Sequence, residues 1–179
     1  MGWTDSKSEW DQFVSMLSPS TGDKILDIGA GKGDVAAKVL QSSGADIYAV
    51  DPNEKRVASM RATHPAVKSS VAGAERLPYP ASSFEKAYTT MALHHYADLD
   101  LALQEVARVL KQGGAFVILE VDPGSGLGRL FRFLGRLTGE RMNLMSKEQL
   151  EERVGKLGLF RTTASASTSS GYLVVLTRV

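Results

Sequence analysis

The stretch ILDIGAGKGDVA, residues 25–36, decides the fold. A short apolar run ends in three alternate glycines, Gly29, Gly31 and Gly33, and a helix-like stretch follows. Glycine has no Cβ, so a ligand can lie close to the main chain and the loop can take positive φ. In an open parallel sheet, ligands bind at the carboxyl ends of the strands, and the loop after a first strand is such a place. ADIYAVD then reads as a second strand, with Asp51 at its end. An acidic side chain about 20 residues past a glycine loop accepts hydrogen bonds from ribose hydroxyls. Together these features point to a ligand of adenosine type, and a tight turn holding no ligand is the plain alternative. Two cofactor classes fit. A dinucleotide fold wants G-x-G-x-x-G, whereas this loop has G-x-G-x-G followed by Asp34. A carboxylate there suits a pyrophosphate poorly and a cationic sulfonium better. The spacing leans toward S-adenosylmethionine, with a nicotinamide-dependent oxidoreductase as the competing enzyme class.

Working outward, strand and helix patterns alternate from Lys24 to Asp122. KILDIG, ADIYAVD, VKSSVAG, FEKAYTTMAL and AFVILEVD read as strands. DVAAKVLQSS, NEKRVASMRATH and LDLALQEVARVLKQGG read as helices, the last stopped by Gly113 and Gly114. This rhythm predicts a parallel sheet with helices on both faces and right-handed crossovers. Before it, Trp10, Phe13, Val14 and Leu17 have helical spacing. After it, Ser146 and Gln149 have the spacing of a capping box, and the C-terminal end reads as two strands around a polar turn at Ser169–Gly171.

The chain of 179 residues is long enough for one domain with a real core. We read 1–179 as one domain, with 1–22 an N-terminal helix or lid and 123–145 an acceptor-side insert. The net charge of +1 is neutral on nucleic acid, and the absence of cysteine excludes disulfides, thiolate metal sites and cysteine nucleophiles. No apolar run approaches the roughly 20 residues of a membrane span. With no apolar signal core in MGWTDSKSEW, the expected location is cytoplasmic.

Five segments in this order, ILDIGAGKGDVA, YAVDPN, AERLPYPASSFEKAYTTMALHHY, ALQEVARVLKQGGAFVILE and SKEQLEERVGKLGL, resemble class I S-adenosylmethionine-dependent methyltransferases. The likeness is to the branch of the ubiquinone/menaquinone C-methyltransferases and covers Lys24 to Gly158. It implies an α/β, Rossmann-like fold: a central seven-stranded, mostly parallel sheet with an antiparallel last strand and helices on both faces. It also implies a cofactor, S-adenosyl-L-methionine, and a product, S-adenosyl-L-homocysteine. By resemblance, Asp27, Gly29, Ala30, Gly31 and Gly33 form the first motif, with the Gly29–Gly31 backbone along the methionine part of the cofactor. Asp51 would hold the ribose, Pro52 and Asn53 would flank the adenine, and Ala74 and Glu75 would edge it. Thr90 and Met91 would face the sulfonium. One position departs: many relatives carry an aspartate where this chain has Gly73.

Methyl transfer from a sulfonium is an in-line displacement in which positioning supplies much of the rate, so it needs no metal. A base helps only when the acceptor loses a proton. His94 and His95, beside Asp98, are the candidate catalytic residues, since imidazole titrates near physiological pH. Being adjacent, they are expected to point differently. Trp3, Trp10 and Phe13 would belong to a lid or to a helix packed on the domain. In GLGRLFRFLGRLTGERMN, residues Leu127, Leu130, Phe131, Leu134 and Leu137 share a helical face, Phe133 widens it, and Arg129, Arg132 and Arg136 lie off it. Three readings stand for 127–137: a cap over a lipophilic acceptor, a transient membrane contact, or a dimer contact or core helix. The expected partner is a small, partly apolar methyl acceptor, with no stable nucleic-acid binding because no basic–aromatic interleaving is present. A non-catalytic S-adenosylmethionine sensor or partner subunit, and a tRNA or protein methyltransferase, are the alternatives.

Overall fold

The computed structural model describes residues 7–138 and 142–179. Its seven strands are β1 (Lys24–Ile28), β2 (Asp46–Asp51), β3 (Lys68–Val71), β4 (Phe84–Thr90), β5 (Leu110–Val121), β6 (Phe160–Ser167) and β7 (Gly171–Arg178). They form one sheet in the order β3-β2-β1-β4-β5-β7-β6. β1 to β5 pair in parallel, and β7 runs antiparallel between β5 and β6. The seven-stranded sheet expected above is therefore present. Strand order reverses at the β1/β4 boundary, where a parallel sheet opens a crevice at its carboxyl edge.

Side chains alternate across each strand and fill two cores. Leu26 and Ile28 of β1 face one side with Phe84 and Phe116. That side is covered by α4 (Leu99–Val109), through Leu103 and Val106, and by α6 (Lys147–Leu157), through Leu150 and Val154. Ile25 faces the other side with Ile47, Tyr88 and Val117. There it meets α1 (Lys7–Leu17), α2 (Asp34–Ser43) and α3 (Glu54–Thr63), through Phe13, Val39 and Met60. The capping box at α6 is formed by Ser146 and Gln149 as spaced.

One local reading changes. The fourth helix ends at Val109, short of its glycines, because Leu110 is fully buried and pairs with Phe84 in the sheet. The register between β4 and β5 then shifts, and Gly113 takes φ 73° in the strand irregularity that results. The N-terminal helix is packed on the sheet. Phe13 is fully buried edge-on to Tyr88 at 5.4 Å, and the Glu9 carboxylate accepts from the Ser169 amide at 2.9 Å. Trp3 lies outside the described residues.

Gly33 caps α2 at φ 84°, and a Cβ there would stand 2.4 Å from Cγ of the fully buried Met60. Left-handed backbone and overpacking both penalise a side chain at this position. Gly33→Ala is expected to lower stability by about 2–4 kcal/mol, read as a lower urea midpoint at unchanged slope.

Candidate cofactor cleft and acceptor side

The crevice at the β1/β4 boundary is a cavity of about 690 Å³. The glycine loop forms one wall. Gly29 and Ala30 donate their amides to the Val50 carbonyl at 2.9 and 3.0 Å, which stitches the loop across the end of β2. Gly29 (φ 79°) is pressed against Ala92, where an added Cβ would stand 2.6 Å from the alanine methyl. Gly31 (φ 59°) instead has open space where a Cβ would point. One glycine serves packing and the other gives a ligand access to backbone.

Asp51 ends β2 and is 2 % exposed. One carboxylate oxygen accepts from the Gly31 amide and the other from the Asn53 amide, both at 2.9 Å. Arg56 lies 3.8 Å away, one turn into α3. A carboxylate oxygen offers about two acceptor sites, so this fixed group keeps capacity for two ligand hydroxyls. Asn53 caps α3 by accepting from the Lys55 and Arg56 amides.

The expected positions distribute as follows. Gly29, Ala30, Gly31, Asp51, Pro52, Asn53, Ala74, Glu75, Thr90, Met91 and His95 all line the cleft. Glu75 also accepts from the Ala97 amide at 2.8 Å, tying its loop to the entry of α4. Met91 holds φ 53°, unusual for a side-chain-bearing residue and of the kind found at functional sites. Asp27 and Gly33 are not among the lining residues. Asp27 lies inside β1 at 1 % exposure, and Gly33 packs on α3.

Among the described residues, neither Asp27 oxygen, nor the hydroxyl of Tyr88 opposite it in the β1/β4 register, has a partner at good hydrogen-bond geometry. Burial pushes the Asp27 carboxyl up to about 8; the Tyr88 hydroxyl offsets part of the rise and the Asp51 charge adds to it. A raised folded value means that the native state binds the proton more tightly than the unfolded chain does. The contribution of Asp27 to stability is thus fullest below the ordinary carboxylate value. It is lost as pH rises through about 8. Asp27→Asn is expected to gain stability over the natural chain progressively across that window. Urea unfolding of both near pH 5 and near pH 8 checks it.

The histidines part company at the 3-10 turn Leu93–His95. His95 is exposed and faces the cleft. His94 turns inward, 2 % exposed, with Nδ1 2.9 Å from Glu120 Oε1. Glu120 also accepts the His94 amide at 3.3 Å and the Val121 amide at 2.8 Å. The two imidazoles lie 4.2 Å apart, and the Phe131 ring is 5.8 Å from that of His94. Sequence reading missed Glu120, although an acid in the apolar strand AFVILEVD was a signal. It also missed Arg56, Tyr96 and Ala97 as lining residues. Tyr96 donates to Thr89 Oγ1 at 3.0 Å under the cleft floor, and burial holds its hydroxyl far above its ordinary pKa.

A doubly wound sheet with a glycine loop and a strand-end acid at its switch point defines a Rossmann-like, nucleoside-binding fold. The model of the family described as "Methyltransferase domain" (Methyltransf_11) matches residues 26–118. The chain belongs to that family, the class I S-adenosylmethionine-dependent methyltransferases of ubiquinone/menaquinone-methyltransferase-like type. It is 36 % identical over 110 residues to the ubiquinone/menaquinone biosynthesis C-methyltransferase UbiE of Rubrivivax gelatinosus, covering 61 % of this chain and 43 % of that protein. It is 33 % identical over 116 residues to the 27-O-demethylrifamycin SV methyltransferase of Amycolatopsis mediterranei, covering 60 % and 42 %. The chain thus spans less than half the length of these curated relatives. Its fold matches the crystal structure of an S-adenosylmethionine-dependent methyltransferase from Mesorhizobium loti, with TM-score 0.81 at 22 % identity, covering 99 % of this chain and 100 % of that one.

Proposed function

We propose that this chain binds S-adenosylmethionine in the cleft and transfers its methyl group to a small, partly apolar acceptor. The observation that carries this is the Asp51 carboxylate, fixed by two backbone amides beside an open Gly31, at the switch point of the sheet. The charge of the wall supports it as well. Among the described lining residues Asp34, Asp51 and Glu75 stand against one arginine, Arg56, which favours a cationic ligand over a pyrophosphate.

When bound, the cofactor supplies a methyl group already activated by its sulfonium. The chain's work is positioning. Asp51 accepts the ribose hydroxyls, with Pro52, Asn53, Ala74 and Glu75 around the adenine. The Gly29–Gly31 backbone runs along the amino-acid end, over Asp27 and Gly33, which shape the loop from beneath. Thr90 and Met91 border the sulfonium end, and the strained Met91 backbone pre-sets that border. On the acceptor side His95 faces the cleft and takes a proton from an acceptor that must lose one. His94 is a positioning residue: Glu120 fixes its ring, and its ring supports that of His95. The printed names of the relatives support a small-molecule acceptor: one is a methyltransferase of ubiquinone/menaquinone biosynthesis and the other a methyltransferase of 27-O-demethylrifamycin SV.

Calorimetric titration with S-adenosylmethionine, S-adenosylhomocysteine and NADH tests the cofactor. Binding of the first two without the third is expected, and binding of NADH alone would overturn the proposal. Transfer of a labelled methyl group into organic extracts then tests catalysis. Cofactor binding with no transfer to any extract would make the chain a sensor or partner subunit instead.

A further inference from the structure

The helix after β5, α5 (Gly126–Thr138), lies outside the cofactor cleft. It contains Arg129, Arg132 and Arg136 and no acidic residue. Sequence reading left open whether this segment caps a lipophilic acceptor, touches a membrane transiently, or forms a dimer contact or core helix. The orientation is informative. Gly128 and Gly135 are the buried positions, and a Cβ at Gly128 would stand 2.1 Å from the Asp122 carbonyl oxygen. The glycine side of the helix thus lies against the turn that precedes it, with Leu127 half-buried and Phe131 half-buried beside His94. Its apolar stripe points outward: Leu130, Phe133 and Leu137 are 49 %, 58 % and 68 % exposed. Among the described residues outside α5, the exposed large apolar ones, Val71, Leu101 and Val179, lie apart from one another in the chain.

An apolar stripe of this kind marks a contact surface, and the charge beside it selects the occupant. A two-fold contact with a second copy sets the same patch against itself. It would bring arginine against arginine with no acid on either helix. An anionic bilayer offers acyl chains for the stripe and negative headgroups for the arginines at once. We propose that α5 is an interfacial helix, seating Leu130, Phe133 and Leu137 at the acyl boundary of an anionic membrane with its arginines among the headgroup phosphates. This inference is independent of the methyltransferase reading.

The test is co-sedimentation of the chain with phosphatidylcholine vesicles, with and without phosphatidylglycerol. Sedimentation with the anionic vesicles is expected, falling as salt rises and at least about tenfold weaker without phosphatidylglycerol. Phe133→Ser/Leu137→Ser and Arg132→Gln/Arg136→Gln should each weaken it more than about tenfold. The melting temperature of each variant should stay within a few degrees of the natural chain, since these side chains face water. No binding to anionic vesicles would overturn the proposal, as would binding that neither variant weakens. A dimer in light scattering that Phe133→Ser/Leu137→Ser dissociates, without vesicle binding by the natural chain, would reassign the stripe to self-association.

Discussion

Asp51→Ala is expected to weaken S-adenosylmethionine binding at least about 100-fold. Two ribose hydroxyls would lose a charged acceptor, and hydrogen bonds to charged groups contribute about 1.5–3 kcal/mol each. The loop adds to the loss, because the same carboxylate holds the Gly31 and Asn53 amides at 2.9 Å. Those amides border an open cleft and take water in the variant, so the fold should survive. Asp51→Asn keeps an oxygen acceptor in place and should lose only about tenfold. Calorimetric titration of both variants, with circular dichroism to verify the fold, measures the ratio. An Asp51→Ala affinity within threefold of the natural chain would remove Asp51 from the cofactor site.

Glu120→Ala is expected to lower stability by about 3–5 kcal/mol, because it leaves three buried donors without their acceptor at roughly 1–3 kcal/mol each. Three donors converge on this carboxylate: His94 Nδ1 and the amides of His94 and Val121. All lie out of reach of water, since His94 and Glu120 are 2 % and 1 % exposed. Each donor left unpaired carries its own desolvation cost. Glu120→Gln retains an oxygen for the backbone and should recover most of the loss. Urea unfolding separates the two variants. If Glu120→Ala costs under about 1 kcal/mol, the pair is not the anchor of this corner and cannot be what orients His95.

Much of the fold was legible because its signals are local. The alternation of Ile25, Leu26 and Ile28 between the two cores follows from a period of two. The capping box at Ser146 depends on neighbours within three residues. The glycine loop was legible for the same reason, since positive φ at Gly29, Gly31 and Gly33 is a local requirement. The end of α4 was misjudged because Gly113 and Gly114 resemble a helix stop. What ends the helix is the pairing of Leu110 with Phe84, a partner far away in sequence.

The candidate site divides along the same line. Sequence by itself determined the doubly wound sheet, the loop, the strand-end acid Asp51 and the cluster of positions from Gly29 to Met91 that meets in one cleft. The sheet, the loop and Asp51 follow from where strands end, which periodicity reports; the positions from Pro52 to Met91 follow from the family resemblance. Only the tertiary structure decided which histidine faces the cleft. His94 turns inward because Glu120, 26 residues away, lies buried beside it. Only the tertiary structure, again, set Gly29 and Gly33 against packed neighbours while leaving space at Gly31, and left Leu130, Phe133 and Leu137 of α5 exposed. Which neighbour a side chain meets is set by contacts between distant segments, and those exist only once the sheet has closed.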